Sequence, residues 1–162
     1  MIYHSCPISP SQSHALAQGI TSLHSTLFSA PSSFVNISFL SSPSSTYVSS
    51  NPVATNFLHA HLRPRGPANA PRLQTLVTTI MKLWAEHVAQ DETSEGRLDD
   101  PRGLHNVFVF EDLVAGAEQG FVLPKAGEEE VWVKDNWEKF ERRAKEGDEA
   151  VGKMMEEIEE KE

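Results

Sequence analysis

The chain has 162 residues, long enough for one domain with a real core and too short to expect two. Its formal net charge is -9 and its pI about 5.2, so the overall field repels phosphate backbones and anionic bilayers, and neither nucleic acid nor a membrane is expected as a partner. Cys6 is the only cysteine, which excludes an intrachain disulfide and a cysteine-based zinc site.

No stretch approaches the roughly 18 consecutive apolar residues of a membrane span, and no basic segment followed by an apolar one opens the chain. A soluble, cytoplasmic protein is the expectation. Residues 1–6 read as a short strand around Ile2 and Tyr3. Ser9-Pro10 is a helix start, an N-cap residue followed by proline at the first helical position. Leu16, Ile20, Leu23 and Leu27 continue at spacings of four, three and four, so one apolar stripe runs down a helix that ends before Pro31, with His24 beside it. In residues 34–40, Val35, Ile37 and Phe39 alternate with Asn36 and Ser38, the pattern of a half-buried strand.

Residues 41–56 are Ser, Pro, Asn and Thr in the main and are expected to form a loop. The pattern then recurs. Residues 57–62 are strand-like, residues 63–71 are a Pro/Gly turn, and Leu73, Leu76, Val77, Ile80, Leu83, Trp84 and Val88 mark a second amphipathic helix. After a charged loop over 91–103, residues 107–110 form another apolar strand. The simplest parse is two βαβ halves. Beyond Phe121-Val122-Leu123-Pro124, Trp137 and Phe140 lie at helical spacing, and the acidic end over 156–162 is expected to fray.

Three places carry chemistry. Arg63-Pro64-Arg65 sets two guanidiniums at the carboxyl end of a strand, either an anion-binding fork or a pair of solvated turn charges. His59 and His61 share one face of their strand; without a clear third ligand nearby, a polar sheet face or subunit contact is expected rather than a metal site. Glu118, between Gly116 and Gly120, is a water-activating carboxylate or an exposed acid. No Gly-rich phosphate loop, nucleophile elbow or HExxH segment is present.

Taken together, Ser9-Pro10-Ser11, Ile20-Thr21-Ser22-Leu23-His24, Phe57-Leu58-His59-Ala60-His61-Leu62-Arg63 and Gly120-Phe121-Val122-Leu123-Pro124 resemble, in order and spacing over residues 1–135, cis-3-chloroacrylic acid dehalogenase and its fungal relatives in the tautomerase superfamily. The resemblance implies an α/β (α+β) tautomerase fold of two fused βαβ units with both helices on one face of the sheet, assembled as a homotrimer. It divides the chain into a tautomerase domain over 1–135 and an acidic helix or tail over 136–162.

The resemblance also implies that His24 and Arg63 contact a substrate carboxylate, that Arg65 takes the second arginine role across a one-residue gap, and that Glu118 activates water, with no metal or cofactor. Two departures stand out. The family's tyrosine falls at Val107 or Phe108, and its catalytic amino-terminal proline would sit a few residues upstream of Met1. Two readings follow: an enzyme acting on a small unsaturated or 2-oxo carboxylate by proton transfer or hydration, or a non-catalytic member that keeps the carboxylate site or the trimeric scaffold.

Overall fold

The computed structural model describes residues 1–43 and 46–160. Ser44 and Ser45 of the expected loop, and Lys161 and Glu162 at the expected frayed end, lie outside the described residues. The first strand is β1 (Ile2–His4). It leads to α1 (Pro10–Phe28), whose start is closed by a capping box: Ser9 accepts from the backbone of Gln12, and the Gln12 side chain accepts from the backbone N–H of Ser9. A 3-10 turn at Ser32–Phe34 precedes β2 (Phe39–Ser41). A two-residue hairpin, β3 (Tyr47–Val48) and β4 (Asn51–Pro52), interrupts the expected loop.

The second half repeats the first with β5 (Phe57–His61), α2 (Ala70–Trp84) continued by a π-helical turn at Ala85–Ala89, and β6 (Asn106–Phe110). A small hairpin, β7 (Ala117–Glu118) and β8 (Phe121–Val122), leads into α3 (Glu129–Lys145) and α4 (Glu149–Glu159).

The main sheet has the order β2-β1-β5-β6. β1 and β2 are parallel, β5 and β6 are parallel, and the two pairs meet antiparallel where Ile2 faces Leu58. This is the two-half arrangement expected from the sequence. Leu16 and Ile20 of α1 and Leu76, Ile80 and Trp84 of α2 are buried with Ile2 and Leu58 of the sheet. Both helices therefore cover one face. Because side chains alternate along a strand, Tyr3, Phe57, His59, His61, Phe108 and Phe110 fall on the other. They stack on one another there, yet Phe108 is 50% and Phe110 39% exposed.

Two expectations are corrected. The strand expected over 34–40 is confined to Phe39–Ser41, because the register pairs Ile2 with Phe39 and leaves 35–37 beyond the reach of β1. The acidic end expected to fray from 156 is helical as far as Glu159 in α4, which follows α3. Phe121, Trp132, Phe140, Val151 and Met154 form a second small core there, with Ile158 packed against it.

Fully buried Asn56 fastens the first strand to the loop before β6. Its Oδ1 accepts from the backbone N–H groups of Ser5 and Cys6, and its Nδ2 donates to the carbonyls of Pro101 and Gly103. Asn56→Ala leaves those groups buried without partners, and the expected loss is about 3 to 5 kcal/mol of stability, measured by urea unfolding. A loss below about 1 kcal/mol would mean that the loop relaxes to satisfy them.

Candidate functional site

Pairing between β1 and β5 stops at Met1 and His59, where the amino-terminal nitrogen donates to the His59 carbonyl at 2.8 Å and His59 N–H donates back to Met1 at 2.9 Å. Past that point, residues 35–37 and 60–62 flank a gap. A cavity of about 220 Å³ opens there, with Met1, His24, Phe34, Asn36, His61 and Leu62 in its wall. The arginines follow immediately, because β5 ends at His61 and Arg63 and Arg65 lie in the turn beyond it.

The Arg63 guanidinium is only 10% exposed, and its partners come from the far end of the chain. Nη2 donates to Glu129 Oε1 at 2.8 Å, Nη1 donates to the Pro124 carbonyl at 2.8 Å, and the ring of Phe34 lies 5.3 Å from its centre. Arg65 is held differently. Its backbone N–H donates to Glu111 Oε1 at 2.6 Å and its guanidinium lies 4.3 Å over the ring of Phe28, while its Nε is buried with no hydrogen bond. That ring also packs against His24, centroid to centroid 4.9 Å.

His24 reaches this place from α1, where the apolar stripe turns its helix face inward. Its Nδ1 is buried without a partner among the described residues. Burial, and after it the positive charges of Arg65 and Arg63, lower its pKa from 6.5 to about 4. The imidazole is therefore neutral at physiological pH, with one N–H to donate and one nitrogen to accept. Glu118 stands in β7. Asn36 Nδ2 donates to its Oε1 at 2.8 Å, and its Oε2 is buried without a partner among the described residues. Burial raises its pKa, opposed by that hydrogen bond and by the charge of Arg63.

The structure thus brings together His24, Arg63, Arg65 and Glu118 from α1, the β5 turn and β7. Three of their polar atoms, His24 Nδ1, Arg65 Nε and Glu118 Oε2, are buried without a hydrogen-bond partner among the described residues, and the charge of Arg63 acts on both His24 and Glu118. Buried polar groups are nearly always bonded, to protein, to ordered water or to a ligand. The other orphan atoms among the described residues are hydroxyls, of Ser25, Ser33, Ser42 and Thr55.

Two further residues belong here that the sequence reading missed. Asn36 carried a signal, a polar residue on a strand-like segment; Glu129 carried none, being one acid in the run Glu128-Glu129-Glu130. Val107 packs into the helix-side core and Phe108 onto the open face, so neither brings a hydroxyl to the site. His59 and His61 also stay on the open face, His59 among aromatic rings and His61 with Nδ1 3.0 Å from Asp112 Oδ2.

A family described as "Putative oxalocrotonate tautomerase enzyme" matches residues 1–137. Among solved structures the chain is similar to N1, a member of the cis-3-chloroacrylic acid dehalogenase family, at 22% identity and TM-score 0.62, over 82% of this chain and 88% of that one. It is similar to native RhCC from Rhodococcus jostii RHA1 at 20% identity and TM-score 0.52, over 83% and 94%. A fused 4-OT wild type described as an asymmetric trimer matches at 15% identity and TM-score 0.54, over 75% and 92%. At these identities the structures share the fold with this chain. No curated protein matches it.

The histidine generates a pH prediction. Its folded-state pKa is lowered, so acid favours the unfolded chain, which takes up the proton first; stability falls as pH drops from about 6.5 towards 4. Between pH 7 and 4.5, wild type should lose roughly 2 to 3 kcal/mol more than His24→Gln in urea unfolding, since each tenfold difference in proton affinity between the folded and unfolded chain is worth about 1.36 kcal/mol. Parallel curves for the two proteins would show that His24 is not held neutral.

Proposed function

The chain belongs to this oxalocrotonate tautomerase family within the tautomerase superfamily, and from that membership we propose that it is an enzyme of tautomerase or dehalogenase type acting on a small unsaturated or 2-oxo carboxylate. The observation that carries the reading is that His24, Arg65 and Glu118 each keep a buried polar atom without a partner among the described residues, while Arg63 acts on both His24 and Glu118. A carboxylate fits the guanidinium fork of Arg65 and the neutral N–H of His24. Glu118, its pKa raised by burial against the opposing hydrogen bond from Asn36, exchanges the proton with the substrate or with an adding water. Arg63 draws developing negative charge towards the turn and limits how far Glu118 is raised.

Turnover of phenylpyruvate enol and of 3-haloacrylates tests the catalytic step, with the chain as it stands and with an added amino-terminal prolyl segment directed along the gap beside β5. Activity above background in either form is expected, and Arg65→Ala should weaken binding of 2,4-hexadienoate at least tenfold, since one lost charge-assisted bond is worth about 1.5 to 3 kcal/mol. Lys82→Ala, exposed on α2, is the control and should change nothing. The absent hydroxyl at Val107 and Phe108 favours a second reading, carboxylate binding without turnover. Binding that depends on Arg65, with no activity in either form, selects it.

The open face of the sheet supports assembly. Stacked aromatic rings and histidines left half in solvent are the surface that closing a ring of subunits removes from water. A homotrimer is the proposed state. Light scattering should return three times the 18.0 kDa chain mass, and a monomer mass at micromolar concentration would contradict it.

A further inference from the structure

The carboxylate site contains a carboxylate of its own. Glu129 is 13% exposed and held at both oxygens: Oε1 accepts from Arg63 at 2.8 Å, and Oε2 accepts from the backbone N–H of Gly127 at 2.7 Å. This is a built contact at the first turn of α3. It occupies one terminal nitrogen of Arg63, and the Pro124 carbonyl occupies the other. Among the described residues Arg65 makes no side-chain hydrogen bond; its guanidinium rests on Phe28.

We infer that Glu129 makes the site selective for ligands with a single carboxylate, by neutralising Arg63 and leaving Arg65 as the anchor for anionic groups. This rests on the carboxylate-binding reading above and narrows it. The charges that act on His24 are the cations Arg65 and Arg63 and the acid Glu129, and Arg63 acts on Glu118 as well. His24 stays neutral and adds no charge. Arg65 feels the charge of Glu129 first, opposed by Arg63 and Arg72 and joined by Glu111, yet its guanidinium forms no ion pair among the described residues. One incoming carboxylate finds one unpaired guanidinium. A second finds the rings of Phe28 and Phe34 or the like charges of Glu118 and Glu129, and a buried charge without a partner is strongly disfavoured. Specificity of this kind is set by what the site repels as much as by what it attracts.

The matched probes are 2,4-hexadienoate and 2,4-hexadienedioate, which share a carbon skeleton and differ by a methyl against a second carboxylate. Calorimetric titration of the full chain should show the monocarboxylate binding at least tenfold tighter. Glu129→Gln, which keeps the side chain's shape and drops its charge, should shrink that ratio at least tenfold by freeing Arg63 for the second carboxylate. Glu129→Ala should shift the ratio the same way, whereas a merely structural role would lower the melting temperature and leave the ratio unchanged. If a variant does not fold, the wild-type ratio still decides. A wild type that binds both acids equally, or prefers the diacid, overturns the inference while leaving the site in place, and so does a ratio that neither folded variant moves. Failure of both acids to bind wild type would remove the site, and this inference with it.

Discussion

The pairing of Arg63 with Glu129 ties the end of β5 to the carboxyl-terminal helices. A guanidinium only 10% exposed must have partners, because a buried charge left alone is costlier than almost any other local defect. The sheet provides none at the end of β5, so they come from the segment that follows β8, as the Pro124 carbonyl and the Glu129 carboxylate. Further contacts then become possible. Trp132 Nε1 donates to the Val122 carbonyl at 2.7 Å, Lys139 and Arg143 donate to the carbonyls of Gly120 and Gln119, and Glu157 accepts from the backbone and hydroxyl of Ser32. The helical pair α3 and α4 braces the hairpin that carries Glu118, and so sets where that carboxylate stands.

Burial also shifts the titratable groups. His24 and Glu118 are both shifted first by desolvation, the histidine downward and the carboxylate upward, so both are moved towards their uncharged forms. Surrounding charge then separates them. The arginines push His24 further in its direction, while Arg63 pulls Glu118 back towards ionisation. A neutral histidine donor and a carboxylate of raised pKa are groups suited to proton exchange. The same enclosed setting makes the charge count around Arg63 and Arg65 matter, since an added anion there is poorly screened.

Much of the architecture was legible because it is local. The stripe Leu16, Ile20, Leu23, Leu27 and the Ser9-Pro10 start are properties of consecutive turns, and the helix appears where they place it. The strand at 57–61 and its partner at 106–110 were equally plain. What could not be read is set by distant partners. The segment 35–37 has a strand's alternation and is not one, because its pairing depends on the register of β1. Nothing near Glu129 in sequence points to Arg63, 66 positions away, and Asn36 meets Glu118 across 82. The helix α4 did carry a signal, Val151, Met154 and Ile158 at spacings of three and four, obscured by the acidic residues around them. His24, Arg63, Arg65 and Glu118 were found through family resemblance; their separate local patterns left ordinary structural roles open.

The central claim, that the unsatisfied atoms of His24, Arg65 and Glu118 surround one carboxylate, is tested most directly by following side-chain NMR signals during titration with 2,4-hexadienoate. The Arg65 Nε–H resonance, assigned by its loss in Arg65→Lys, should move to saturation together with the His24 ring signals and with one dissociation constant. If the acid binds while both remain still, or if they move with different constants, the atoms do not form a common site.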